Sequence, residues 1–144
     1  MPGSSLWLVP PPTHPLHAIL TTLITSSLPP ILLPSPDSRP VIFPPHLTLT
    51  SEVLPSTYAP DPQAWLDSLS FPKDARVLFT GLRTEDVFFR RCYLRAEFAG
   101  VRGLAAAARA NGVEGEGAAG GAGERTAAWL ESWRTGFGPH VSLA

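Results

Sequence analysis

The sequence predicts a fold of mixed helices and strands in which one strand pattern is used twice. Three observations carry this. Apolar residues recur at helical spacing over Leu16–Ile24. Alternating stretches of period two occur from Val41 onward and again from Val87. The octapeptide Phe43–Thr50 (FPPHLTLT) returns as Phe137–Ala144 (FGPHVSLA), with Phe, Pro, His and Leu identical at four of eight positions.

Taken in order, Ser5–Val9 reads as a short strand stopped by Pro10–Pro12. Thr13 is the expected cap of a helix with Pro15 in its first turn. Leu16, Ile19, Leu20, Leu23 and Ile24 give that helix one apolar face, and it ends before Pro29. Val41–Thr50 reads as a strand with two prolines near its start. Asp61-Pro62 is an N-cap and first-turn proline opening a helix near Trp65, Leu66 and Leu69. Arg76–Thr80 and Val87–Phe98 read as strands joined around Gly81–Asp86. In the second, Val87, Phe89, Arg91, Tyr93 and Arg95 share one face. Gly103–Ala110 is alanine-rich and favours helix, and the Gly/Ala/Glu stretch 111–123 reads as a flexible loop. Glu124–Trp133 is helical, Arg134–Pro139 a turn, and Val141–Ala144 a strand.

Composition bounds the function. At 144 residues the chain is of single-domain size, residues 1–144. Eleven Lys and Arg against twelve Asp and Glu give a net charge of -1, which argues against tight binding to long nucleic acid. A small phosphorylated ligand needs only local positive charge. Cys92 is the only cysteine, so there is neither a disulfide framework nor a thiolate zinc cluster. No apolar run approaches the ~20 residues that span a bilayer, and Met1–Val9 lacks the basic start of a secretory signal. The expectation is a soluble intracellular protein. The seventeen prolines cluster between patterned elements and read as stiff loops.

The chemistry lies in the repeated window. His46 and His140 stand 94 residues apart (140 − 46), consistent with one such strand in each half of a duplicated fold. Alternation points Leu47 and Leu49 inward and His46, Thr48 and Thr50 the other way. Likewise Val141 and Leu143 face in, and His140 and Ser142 face out. Each strand thus offers an imidazole and a hydroxyl about 7 Å apart. Two imidazoles and two hydroxyls suit a cyclic phosphate. One neutral histidine accepts a proton from attacking water, and one protonated histidine donates to the leaving oxygen. An ordinary imidazole pKa of about 6.5 supplies both forms near neutrality. Thr48 and Ser142 donate to the non-bridging oxygens, where charge develops. The mechanism calls for no metal or cofactor. His14 and His17, near the start of the first helix and without a partner motif, read as structural or solvent-facing.

The two windows resemble the paired H-x-[ST]-x signature of the 2H phosphoesterase superfamily. The opening Leu6-Trp7-Leu8-Val9-Pro10 is similar to the first strand of its cyclic phosphodiesterase branch. Val77–Tyr93, with Gly81, Phe88-Phe89 and Arg90-Arg91, is similar to the middle strands of fungal 2′,3′-cyclic-nucleotide 3′-phosphodiesterases. The resemblance implies a bilobal α+β fold with antiparallel sheets flanked by helices and the active site in the cleft between lobes. It implies hydrolysis of 2′,3′-cyclic nucleotides to 2′-phosphates, and of ADP-ribose 1″,2″-cyclic phosphate to the 1″-phosphate, downstream of tRNA splicing. His46 and His140 match the catalytic positions, and Thr48 and Ser142 the phosphate-binding ones. Family members continue beyond the second motif, whereas this chain ends two residues after Ser142, which reads either as a truncated sequence or as a short second lobe. Competing readings are an RNA-end-processing relative, disfavoured by the lack of a basic stripe, and a truncated, non-catalytic, proline-rich interaction protein.

Overall fold

A computed structural model describes residues 3–33, 35, 37–86, 91–117 and 123–144. It has the expected α+β class. Strands β1 (Ser4–Leu8), β2 (Leu47–Val53), β3 (Phe79–Thr84), β4 (Cys92–Ala96) and β5 (His140–Ser142) form one sheet in the order β1-β2-β5-β4-β3. The β2–β5, β5–β4 and β4–β3 ladders are antiparallel. The helices are α1 (Pro15–Thr22), α2 (Pro29–Leu32), α3 (Pro55–Tyr58), α4 (Pro62–Ser68), α5 (Phe98–Arg109) and α6 (Glu124–Thr135). Among the described residues no helix is long and apolar enough to cross a membrane.

The chain divides into two compact units. The first comprises Met1–Trp7, Thr48–Leu78 and Glu97–Pro139. Its core is built by Val53, Val101, Leu104, Ala105, Ala108 and Leu130, all buried. Helix α5 begins at Phe98, five residues before the alanine-rich stretch that predicts it, and the strand expected to reach Phe98 stops at Ala96. Two glycines hide this helix start, because glycine is a poor helix former. Gly100 is there for space: a Cβ would lie 2.2 Å from the Arg76 carbonyl oxygen. The same two residues bond, with Arg76 N–H donating to Gly100 O at 2.9 Å. The loop expected over 111–123 is partly helical. Ala110–Glu114 continues α5 as a π-helical turn, which Gly115 ends in the left-handed conformation at φ 68°. Residues 118–122 lie outside the described residues.

At the N-terminus of α6 the cap residue is Gly123, which offers no side chain. Glu116 does the capping from a distance. Its carboxylate accepts from Arg125 N–H at 3.1 Å, Thr126 N–H at 2.9 Å and Thr126 Oγ1 at 2.6 Å. An anion meeting the first free N–H groups of a helix is favoured by geometry and dipole alike. The helix runs to Thr135, so the turn expected from Arg134 begins only at Gly136.

The second unit comprises Leu8–Leu47, Phe79–Ala96 and His140–Ala144. Leu20, Ile24, Leu47, Cys92, Tyr93, Ala96, Val141 and Leu143 are buried in it. The apolar face expected on the first helix is only partly used, since Ile19 is 56% exposed. His14, not Thr13, caps that helix: its Nδ1 accepts from Leu16 N–H at 3.1 Å. The helix passes into a π-helical segment, Leu23–Ser27. The strand expected from Val41 starts only at Leu47, and Val41 and Ile42 are exposed. Pro40, Pro44 and Pro45 lack the N–H a ladder needs, which delays pairing until the prolines end. The strand expected over Arg76–Thr80 is displaced to Phe79–Thr84 and runs through Gly81, where a turn was expected. A register shift between Phe79 and Gly81 marks a bulge there. The expected face positions Val87 and Phe89 lie outside the described residues.

Candidate functional site

The second unit carries most of the repeated motif. Strand β5 is the hub, flanked by β2 and β4. Leu47 pairs with Val141 across β2 and β5. In an antiparallel pair, one step outward on each strand brings His46 across from Ser142, on the face opposite Leu47 and Val141. Burial follows this alternation. Leu47, Leu49, Val141 and Leu143 are buried, whereas His46, Thr48, His140 and Ser142 are each half-buried. Thr48 is next but one to His46 along the chain. Thr50, expected on the same outward face, is instead 1% exposed and accepts from Arg109 Nη1 at 3.4 Å.

Each imidazole is held. His46 Nδ1 lies 2.7 Å from the Pro44 carbonyl oxygen. A carbonyl can only accept, so Nδ1 carries the proton. Buried Pro45 fixes the approach to this contact, and Phe43 meets the ring edge-on at a centroid distance of 6.1 Å. His140 packs edge-on against Tyr93, with centroids 5.3 Å apart. Tyr93 is buried and donates its hydroxyl to Glu85 Oε1 at 2.7 Å.

The β4–β5 ladder adds neighbours. Arg95 pairs with His140, and Tyr93 with Ser142. Directly opposed residues project from the same face. Tyr93 and Arg95 therefore share the face of His140 and Ser142. Their common face was legible in the alternation of their strand. Its adjacency to the second motif was not, because nothing in a sequence says that β5 inserts between β2 and β4. Of the other histidines, His14 is the exposed helix cap and His17 is half-buried in the first turn of α1.

The family model of cyclic phosphodiesterase-like proteins matches residues 1–144. The chain belongs to the cyclic phosphodiesterase-like protein family. This cyclic phosphodiesterase-like chain is 49% identical over 151 residues to a 2′,3′-cyclic-nucleotide 3′-phosphodiesterase of Neurospora crassa, covering 99% of the chain and 70% of the relative. It is 44% identical over 147 residues to a protein of the same name from Phaeosphaeria nodorum, covering 99% of the chain and 68% of the relative. Both support the resemblance to fungal 2′,3′-cyclic-nucleotide 3′-phosphodiesterases. No solved structure matches. In the cyclic phosphodiesterase-like fold the one cysteine, Cys92, is buried in β4, and burial raises its thiol pKa above the ordinary value.

Proposed function

We propose that this protein hydrolyses cyclic phosphodiesters, opening 2′,3′-cyclic nucleotides to 2′-phosphates with His46 and His140 as the acid–base pair. The observation that carries this is the pairing of the strands that hold the two motifs, with Leu47 against Val141. The family match and the names of the two fungal relatives support the reaction class.

In the proposed step a water oxygen bonds to phosphorus and the P–O3′ bond breaks. A neutral imidazole takes the water proton, and a protonated imidazole gives one to O3′. The proton held on His46 Nδ1 by Pro44 leaves Nε2 as the atom that exchanges. Thr48 and Ser142 hydroxyls donate to the non-bridging oxygens as negative charge accumulates on them. No step is routed through a metal ion. The duplicated bilobal arrangement, turnover of ADP-ribose 1″,2″-cyclic phosphate and a place after tRNA splicing belong to the same proposal. They are supported by the repeat of the window and by the family resemblance.

The test is turnover of a nucleoside 2′,3′-cyclic phosphate by purified protein, with the product's phosphate position read by phosphorus NMR. His46→Ala and His140→Ala should each lower kcat by roughly 10²–10⁴. Thr48→Ala and Ser142→Ala should cost less, about ten- to a hundred-fold, because each removes one neutral donor. His17→Ala serves as the control. Full activity in both histidine variants, folded by thermal melt, would sink the two-histidine reading.

A further inference from the structure

Strand β2 keeps its alternation only in its first half. Leu47 and Leu49 are buried with Thr48 half-buried between them. Beyond them the pattern breaks: Thr50 is buried, and Ser51, of the same parity as the two leucines, is exposed. The backbone is unusual at the next residue. Glu52 has φ 69°, and among the described residues it is the one non-glycine with positive φ. A residue with a Cβ is crowded in the left-handed region, and glutamate seldom adopts it. Such a conformation persists only where its surroundings hold it, and it concentrates at functional sites.

Glu52 is held from two directions. From α5, Arg109 Nη1 donates to Glu52 Oε2 at 3.1 Å. The same nitrogen makes longer contacts to Thr50 Oγ1 at 3.4 Å and to the Ser51 carbonyl oxygen at 3.5 Å. It thus spans three successive residues of β2. Arg109 is itself fixed by Glu114 and by the Trp129 ring. From the N-terminal side, a Cβ on Gly3 would stand 3.0 Å from Glu52 Cα, so the backbone there passes close against Glu52. Ser5 Oγ adds a contact to Ser51 Oγ at 3.0 Å. All these residues, and Thr48, belong to the first unit.

Stability does not account for a glutamate at this position. Glycine would take the left-handed conformation without crowding. The Glu52 side chain is 50% exposed, so water screens its pair with Arg109 and the pair adds little. That gain and the cost of the conformation are of the same order, and they nearly offset. What the carboxylate does supply is a fixed position for the end of β2. Thr48 lies four residues before Glu52 in the same strand. It is one two-residue repeat, about 7 Å, from Thr50, which Arg109 covers.

We propose that Glu52, held left-handed by Arg109 and Gly3, is a positioning residue that aims the Thr48 hydroxyl. The inference rests on the reading of Thr48 as a phosphate donor, and adds to it a residue that touches no substrate. Relaxation of Glu52 to extended backbone would rotate the strand that carries Thr48. A hydrogen bond to developing charge weakens steeply with misalignment, so the rotation is felt in kcat more than in KM.

The experiment measures kcat and KM on a nucleoside 2′,3′-cyclic phosphate for Glu52→Ala and Glu52→Gln, each alone and combined with Thr48→Ala. Glu52→Ala should lower kcat roughly tenfold and leave KM within about twofold, as loss of one aligned donor allows. Glu52→Gln, which keeps an acceptor for Arg109, should retain most of kcat. In the Thr48→Ala background Glu52→Ala should cost less than about twofold more, because both substitutions remove the same interaction. The Tm of Glu52→Ala should stay close to that of the wild type. Unchanged kcat in Glu52→Ala overturns the proposal. So does a tenfold loss that persists in full without the Thr48 hydroxyl, which would assign Glu52 to the fold alone. Should Glu52→Ala fail to fold, Gly3→Ala presses on the same backbone from the other side, and its effect with and without Thr48→Ala decides in the same way. A wild-type protein that turns over no cyclic phosphate overturns the cyclic phosphodiesterase reading. NMR then decides the positioning separately: the Thr48 methyl resonance must shift in Glu52→Ala and return toward its wild-type place in Glu52→Gln, and a resonance that does not move overturns it.

Discussion

Arg109 is the residue whose removal should cost the most stability. It is 8% exposed, and its guanidinium gathers three elements of the first unit. Nε donates to Glu114 Oε1 at 3.0 Å, and Nη2 lies 3.0 Å from the same oxygen. Nη1 donates to Glu52 Oε2 at 3.1 Å and to Thr50 Oγ1 at 3.4 Å. Its Cζ stands 4.8 Å from the Trp129 ring centroid, a cation–π distance. Breaking a buried ion pair by deleting one partner costs about 3–5 kcal/mol, because the other charge is left buried. Here the low end applies. The Glu52 side chain is half exposed and water can recover it, whereas Glu114 is 17% exposed but keeps Arg125 at 3.4 Å. Arg109→Ala should therefore cost about 3 kcal/mol. For a chain of this size that is on the order of a 10 °C fall in Tm. Differential scanning calorimetry at pH 7 measures it. Arg134→Ala, which breaks the exposed Arg134–Glu131 pair, should leave Tm nearly unchanged. The paired variant Arg109→Met/Glu114→Leu removes both charges and should melt above Arg109→Met alone. Equal melting of Arg109→Ala and Arg134→Ala, or a double variant less stable than the single, would refute the reasoning.

Three further outcomes are expected. If one imidazole must be neutral and the other protonated, kcat/KM against pH is bell-shaped around neutrality and survives a chelator; a flat profile over about pH 5–8 or complete loss in EDTA defeats the mechanism. Tyr93 positions His140 by ring contact, so Tyr93→Phe should keep most of kcat. Tyr93→Leu should lower kcat by up to about tenfold, with KM little changed, as loss of an aromatic pair allows; equal kcat in the two variants removes that role. Thr126 Oγ1, first among its donors, lowers the Glu116 pKa, with the Thr126 and Arg125 backbone N–H groups and the Arg125 charge adding to the effect. A carboxyl with a depressed folded pKa stabilises the fold above its unfolded pKa and loses that contribution as pH falls through the folded value. Thr126→Val should accordingly melt below wild type at pH 7, and the gap should narrow in acid below the ordinary carboxylate range; a gap independent of pH excludes the linkage.

Sequence by itself determined the local features. Short-range patterns record what neighbouring residues can do. Asp61 capping Ala64 N–H at 3.1 Å was readable because capping needs only a side-chain oxygen beside a helix start. The alternation at His46–Leu49 and at His140–Leu143 was readable because strand side chains point to opposite faces by geometry. The family followed from the same two windows. Boundaries failed where a distant contact decided them. Helix α5 starts over Gly100 because the Arg76 backbone lies against it, and no local propensity reports that contact. Thr50 reads as outward-facing, yet Arg109, 59 residues away, covers it. The strand order was likewise beyond the sequence, since the alternation of Tyr93 and Arg95 gives a face but not a neighbour. Only the insertion of β5 between β2 and β4 sets that face beside His140, because ladder pairing is made by residues distant along the chain.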